Sequence, residues 1–360
     1  MKVIVVTDAW EPQVNGVVRT IQATRHELER AGHRAALITP QSFVTVRCPG
    51  YAEIRLSLFP YRSVARLMAR ELADAGEVAV HLATEGPLGR AARRYCLRHR
   101  IPFSTAYHTR FPQYLHAMFG VPERWTYASM RRFHAAADVV LAPTATVEQE
   151  LRDHDIGRIA CWTRGVDTDL FQPAAPLPLG RNAPIFLYVG RVSVEKNIEA
   201  FLALDLPGTK VVAGVGPALA RLTRRFPDVH FVGVLPSGEL ARLYSAADVF
   251  VFPSRTDTFG LVLLEALACG IPVAAYPVPG PLDVVGGSDV AVLDEDLRRA
   301  ALTALRIDRA RCRAFALGRS WRAATQQFVQ LQRPIGRGPW VGPERGAARQ
   351  GLPQRTANAK

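Results

Sequence analysis

The sequence predicts two doubly wound α/β domains in tandem. Three observations carry this. Short β-branched runs alternate with longer stretches of helical periodicity along nearly the whole chain. The alternation pauses once, at Gln172-Pro173-Ala174-Ala175-Pro176-Leu177-Pro178-Leu179-Gly180-Arg181-Asn182-Ala183-Pro184, and then restarts. The length, 360 residues, exceeds what one hydrophobic core usually holds and suits two domains of ordinary size.

The first unit, residues 1–172, opens on a strand at 3–6 that ends in Thr7-Asp8, then a loop and a helix from Gly16 to about Ala31. Further strands are expected at 34–38, 78–82, 102–106 and 139–142, with helices between them at 61–75, 87–99 and 123–136. Residues 173–184 form the linker. The second unit, 185–305, repeats the pattern with strands at 185–189, 210–213, 229–232, 249–252 and 271–275. An internal echo accompanies the repeat: Ala136-Ala137-Asp138-Val139 and Ala246-Ala247-Asp248-Val249 stand 110 residues apart, a hint of related halves that chance also explains in an alanine-rich chain. Residues 306–332 read as one helix, with Trp321 and Phe328 on one face, packing back on the domains. Residues 333–360 hold four prolines, five glycines and six basic side chains, a composition that predicts disorder.

Composition narrows the class. The chain is 48% apolar and 21% charged, ordinary for a globular protein. No apolar run approaches the ~18 residues of a membrane span, and the opening strand is too short for a signal peptide. Cys48, Cys96, Cys161, Cys269 and Cys312 stand singly, which excludes a C-x-x-C zinc or redox motif and suits a reducing cytoplasm. The net charge is +13, and 41 of the 45 basic residues are arginine. Such a body attracts nucleic acid, anionic lipid or a phosphorylated substrate. A nucleic-acid partner is not expected, because aromatics are not interleaved with the basic clusters as stacking platforms require.

The chemistry concentrates after strand ends. In Tyr188-Val189-Gly190-Arg191-Val192-Ser193-Val194-Glu195-Lys196-Asn197 a strand ends in glycine and two cations follow five residues apart, an arrangement that suits a diphosphate. A solvated turn, with Glu195 pairing either cation, suits the same spacing. Next, Ser254-Arg255-Thr256-Asp257-Thr258-Phe259-Gly260-Leu261-Val262 leads into an apolar helix that carries Glu265. A buried Glu265 needs a partner, either ligand hydroxyls or an arginine. Asp257 can cap that helix or accept from a ligand. In the first unit, Gly16 opens a helix where a backbone must come close to something, Thr84-Glu85-Gly86-Pro87 follows one strand, and Tyr107-His108-Thr109-Arg110 follows another. His108 is either a ligand contact or a satisfied structural histidine.

With these residues in view, the chain resembles family 4 glycosyltransferases of the GT-B fold over residues 1–330. The most specific matches are Gly190-Arg191-x4-Lys196-Asn197 and Asp257-x7-Glu265; the loop from Asp8 to Arg19, Tyr107-His108-Thr109 and Gly165-Val166-Asp167 through Pro173 support them. The resemblance implies two Rossmann-like domains facing a central cleft and retaining, metal-independent transfer of a hexose from a nucleotide-sugar. By similarity, Arg191 and Lys196 hold the diphosphate and Glu265 the ribose. The Phe259-Gly260-Leu261-Val262 backbone faces phosphates and base. Asp257 and His108 contact the hexose, and Gly16 lets its loop approach the donor. No cofactor beyond the donor substrate is implied. Two positions depart from the pattern: Asp257 stands where glutamate is usual, and Arg164 where asparagine is common. Within the family, the Thr-Asp-Thr-Phe-Gly, Thr-Glu-Gly-Pro-Leu-Gly and Tyr-His-Thr-Arg-Phe-Pro segments look most like bacterial mannosyltransferases, diacylglycerol glycosyltransferases and sulfolipid synthases. They imply a lipid acceptor such as diacylglycerol or phosphatidylinositol, with UDP-glucose, UDP-glucuronate or GDP-mannose as donor. The alternatives are a soluble or polysaccharide acceptor, or donor binding without catalysis. Arg90, Arg93, Arg94, Arg98, Arg100, Arg131 and Arg132, on helices that also carry Tyr95, Trp125 and Tyr127, suit a peripheral position on an anionic membrane face.

Overall fold

The computed structural model describes residues 1–335, apart from Val14, residues 49–50 and 74–75, and Arg181. The disorder expected of the tail therefore falls mostly on residues 336–360, outside the described residues. Its first three residues are docked: Arg333 pairs with Asp138 at 2.7 Å, and the Ile335 amide donates to the Val78 carbonyl at 2.9 Å.

Fourteen strands are described: β1 (Lys2–Val6), β2 (Arg34–Ile38), β3 (Thr45–Cys48), β4 (Tyr51–Ser57), β5 (Val78–Leu82), β6 (Ser104–Ala106), β7 (Val139–Ala142), β8 (Ile159–Cys161), β9 (Ile185–Val189), β10 (Thr209–Ala213), β11 (His230–Gly233), β12 (Val249–Phe252), β13 (Val273–Ala275) and β14 (Ala291–Leu293). They form two parallel six-stranded sheets, ordered β2-β1-β5-β6-β7-β8 and β11-β10-β9-β12-β13-β14, with β3 and β4 as a separate antiparallel pair. Apart from that pair, the first sheet follows the flavodoxin-like order and the second the Rossmann order. Each sheet is covered on both faces, as all-parallel sheets must be. β1, β5, β7, β9 and β12 are buried along their whole length. That double burial explains why they read as largely apolar runs, broken by the buried Lys2 in β1 and His81 in β5.

The two echoes of Ala-Ala-Asp-Val are the same local joint, in which an aspartate amide enters the edge of a neighbouring strand: Asp138 N donates to Phe103 O at 2.9 Å and Asp248 N to Ile185 O at 2.8 Å. They enter β7 and β12, the fifth strand of one sheet and the fourth of the other. The echo does not mark equivalent positions in two halves.

The segment 306–332 is two helices, Arg309–Leu317 and Trp321–Gln330, because Gly318 ends the first and the Ser320 hydroxyl caps the second by accepting from Ala323 N. The last helix crosses to the first sheet. Phe328 packs on Trp162, Trp162 Nε1 donates to the Ala324 carbonyl at 3.1 Å, and the Ser104 hydroxyl donates to Gln332 at 2.7 Å. Trp321, seven residues before Phe328 on the same face at the start of the helix, is half-buried.

Candidate active site

In open parallel sheets, ligands bind beyond the carboxyl ends of the strands where the strand order reverses. Here that is between β1 and β5 in one sheet and between β9 and β12 in the other. The loops leaving those strands carry most of the residues singled out in the sequence.

On the second-domain side, β9 runs into Gly190 at φ 155°, where an added Cβ would stand 2.9 Å from the Tyr188 hydroxyl oxygen. That hydroxyl donates to the Arg191 carbonyl at 2.8 Å. Gly214, after β10, would drive a Cβ to 1.9 Å from the Gly190 carbonyl, so only glycine lets the two loops pack this closely. Lys196 closes the short turn Val194–Lys196, and its Nζ pairs with Asp257 Oδ1 at 2.5 Å. The other Asp257 oxygen is buried with no hydrogen-bond partner. Glu195 takes the Ser193 hydroxyl at 2.6 Å while Lys196 pairs with Asp257, and Asp257 does not cap the following helix. Gly280 packs beneath, where a Cβ would lie 2.7 Å from the Asp257 carbonyl.

The helix Leu261–Ala268 starts from Gly260 at φ 84° without a side-chain cap, so its first amides are open to an anion. Phe259 is buried beside it, and Leu261 and Val262 are half-buried. Gly16 faces Leu261 across the cleft, with room for a Cβ 3.7 Å from Leu261 Cδ1. Asn15 caps the Gly16–Arg30 helix, accepting from Val17 N and Val18 N at 3.0 Å.

Glu265 is buried, and here the arginine reading holds: Arg19 of the first domain pairs with Oε1, while the Tyr244 hydroxyl donates to Oε2 at 3.2 Å. The Glu265 charge raises the Arg19 pKa, and burial pushes the Tyr244 phenol up. A carboxylate offers about four lone-pair sites, so both partners leave room for ligand hydroxyls. A cavity of about 190 Å³ between the domains is lined by Arg19, Asp167, Ser237, Leu261 and Glu265, among others.

On the first-domain side, His108 follows β6. Its carbonyl accepts from the Thr258 hydroxyl at 2.9 Å, so the residue next to Asp257 reaches across to it. Its Nδ1 lies 3.3 Å from Arg164 Nη2, and its Nε2 is buried without a partner. Burial first, then the Arg164 charge, holds the ring well below its ordinary pKa of 6.5. Thr84-Glu85-Gly86-Pro87 is occupied structurally: Asp8, its carboxyl pushed up by burial, accepts from Thr84 Oγ1 and Leu88 N at 2.8 Å, and Glu85 faces His134 at 3.3 Å.

The site thus draws Lys196, Asp257 and His108 into one cluster and Gly16, Leu261 and Glu265 into another, with Arg191 on the Gly190 loop. Sequence reasoning did not assign Arg19, Arg164 or Thr258 a place in the site. Arg164 carried a signal, as a departure from the family pattern. Arg19 stood in a quoted motif, but its partner lies 246 residues away.

Two family models cover most of the chain: Glycosyltransferase Family 4 matches residues 14–170, and Glycosyl transferases group 1 matches 183–307. A GDP-mannose-dependent alpha-mannosyltransferase of Mycobacterium tuberculosis is 32% identical over 79% of this chain and 81% of its own length. The chain belongs to glycosyltransferase family 4. An alpha-monoglucosyldiacylglycerol synthase of Streptococcus pneumoniae is 28% identical over 85% of this chain and 78% of its own. Among solved structures, sucrose-phosphate synthase from Thermosynechococcus elongatus superposes with a TM-score of 0.69 at 23% identity, covering 92% of this chain and 98% of that one. The fold is therefore GT-B, and this family 4 glycosyltransferase is an enzyme.

Proposed function

We propose that this glycosyltransferase moves mannose from GDP-mannose, with retention of configuration, to a hydroxyl of a membrane lipid such as diacylglycerol or phosphatidylinositol. The observation that carries the reading is the Lys196–Asp257 pair, which Thr258 ties to His108 across the cleft. In the reaction, the bond from sugar C1 to the diphosphate oxygen breaks and its electron pair leaves with the diphosphate. The acceptor oxygen bonds C1 from the same face, and the acceptor proton passes to the departing phosphate oxygen. Arg191 and Lys196 stabilise the charge that grows on the leaving group, where preorganised cations act most strongly. The open Leu261–Ala268 helix start faces the phosphates, and Glu265 takes the ribose hydroxyls. Asp257 accepts from sugar hydroxyls, while His108 Nε2–H donates to a sugar oxygen.

The mannosyltransferase relative supports GDP-mannose. The alpha-monoglucosyldiacylglycerol synthase relative supports the lipid acceptor and keeps glucose as a second candidate sugar. Among the described residues no helix is long and apolar enough to cross a membrane. Arg90, Arg94, Arg98, Arg100, Arg131 and Arg132 are exposed, and so is Trp125. Tyr95 and Tyr127 are buried and take no part in such a face. The test is transfer by purified protein from GDP-mannose, UDP-glucose, UDP-glucuronate and UDP-galactose to each lipid in mixed micelles, read by mass spectrometry. A mannolipid formed from GDP-mannose alone is expected. Transfer only to water-soluble acceptors would overturn the lipid assignment.

A further inference from the structure

We propose that Arg164 is a positioning residue that locks His108 in one neutral tautomer, with its proton on Nε2. Arginine carries only donors, so its contact with His108 Nδ1 is favourable only if that nitrogen offers its lone pair. The ring proton must then sit on Nε2, the buried nitrogen that has no partner in the protein.

Arg164 is itself built in. It is 4% exposed, its guanidinium stacks over the Trp162 ring at 4.1 Å, and its Nη1 donates to the Trp162 carbonyl at 2.5 Å. No carboxylate pairs with it among the described residues, and burial pushes its pKa down to about 9. The loop that carries it is pinned from the C-terminal segment: Val166 N donates to the Arg319 carbonyl at 2.9 Å, and a Cβ on Gly165 would lie 2.3 Å from Ser320 backbone. The charged and titratable groups that act on His108 are Arg164 and the buried His81, and both oppose a second ring proton. The edge of Trp162 closes another side, with ring centroids 5.9 Å apart. His108 is thereby a fixed donor to an oxygen acceptor. An asparagine at position 164 is shorter and uncharged, so it would supply neither the reach nor the charge.

The tautomer stands apart from the proposed reaction; only its use, donation to a sugar oxygen, rests on that reading. The experiment is nitrogen NMR of the full chain labelled at histidine, with the His108 signals identified by their loss in His108→Asn. Wild type is expected to show His108 protonated at Nε2 alone, with no titration between about pH 5.5 and 8. Arg164→Asn should give mixed tautomers and move the His108 titration upward, toward the ordinary range from which burial and His81 still hold it down. Its kcat should fall roughly tenfold, the scale of losing an orienting partner, and more at pH 6 than at pH 8. A wild-type His108 that is protonated at Nδ1, or that titrates normally, overturns the proposal even if the variant does not fold. So does an Arg164→Asn variant with an unchanged tautomer and pH profile. Absence of transfer from every donor, with the wild-type spectrum as expected, would overturn the proposed reaction and leave the tautomer standing.

Discussion

Glu265→Gln removes a charge without changing shape, at a carboxylate that both domains share. In the structure Oε1 meets Arg19 and Oε2 accepts from Tyr244. Glutamine keeps an acceptor for Arg19 and gives the tyrosine oxygen a donor, so packing survives. Arg19 has 32% of its side chain exposed and can turn to water, which reduces the loss of stability to about 1 kcal/mol, near the value for surface pairs and below that for buried ones. Nucleotide binding should suffer more. Two ribose hydroxyls donating to a carboxylate make charge-assisted bonds roughly twice as strong as neutral ones, about 1 kcal/mol more per bond. The variant should therefore bind GDP about 2 kcal/mol more weakly, a roughly 30-fold rise in Kd. Calorimetric titration measures it, and 2′,3′-dideoxy-GDP is the control: it should weaken binding to wild type more than to the variant, whose remaining bonds to the hydroxyls are neutral. Equal affinity of folded variant and wild type for GDP would refute the ribose role and leave Glu265 as an interdomain strut.

Lys196→Ala should lower kcat by about 10²- to 10³-fold, as removal of a preorganised donor from a developing oxyanion does, with an unchanged melting temperature; turnover within threefold of wild type would remove Lys196 from the leaving-group site. Phe328→Ala, which opens the contact with Trp162, should cost about 3 to 4 kcal/mol in chemical denaturation, and a loss below about 1 kcal/mol would deny that the last helix is part of the first domain's core. Buried His81 is pushed down to about 3 by desolvation and His108 well below its ordinary value, so both stay neutral in the folded chain but gain a proton on unfolding below about pH 6.5. Their contribution is full above that pH and is lost as pH falls: each should cost about 2 kcal/mol at pH 5 relative to pH 7.5, and His81→Asn should remove about half of that dependence. Equal denaturation midpoints at the two pH values would contradict buried neutral rings.

Strands buried on both faces, such as β12 at Val249–Phe252, were legible because double burial writes an unbroken apolar run, while the partly buried β2 and β11 were read from the alternation with helices. β8 and β14 escaped because each is three residues long and only partly buried, unlike the equally short but fully buried β6 and β13. The β3–β4 pair escaped because its alternation is polar and half-exposed. The break at Gly318 was hidden by helix-favouring residues on both sides. The site divides similarly. Arg191, Lys196, Asp257 and Glu265 were legible because spacing along one segment carries their motif. Arg19, Thr258 and Arg164 act through partners between 56 and 246 residues away, which no local pattern records. The sequence also left Glu265 between ligand and arginine, and the fold brings it the arginine while keeping it on the cleft wall.

The central claim is that Lys196, Asp257 and His108 hold a hexosyl diphosphate for substitution from its leaving-group face. NMR of the glycolipid formed from GDP-mannose, read for the configuration at sugar C1, tests it most directly. The account predicts an α-linked mannoside, the configuration of the donor; a β-linked product, or no product with any donor and lipid, would contradict it.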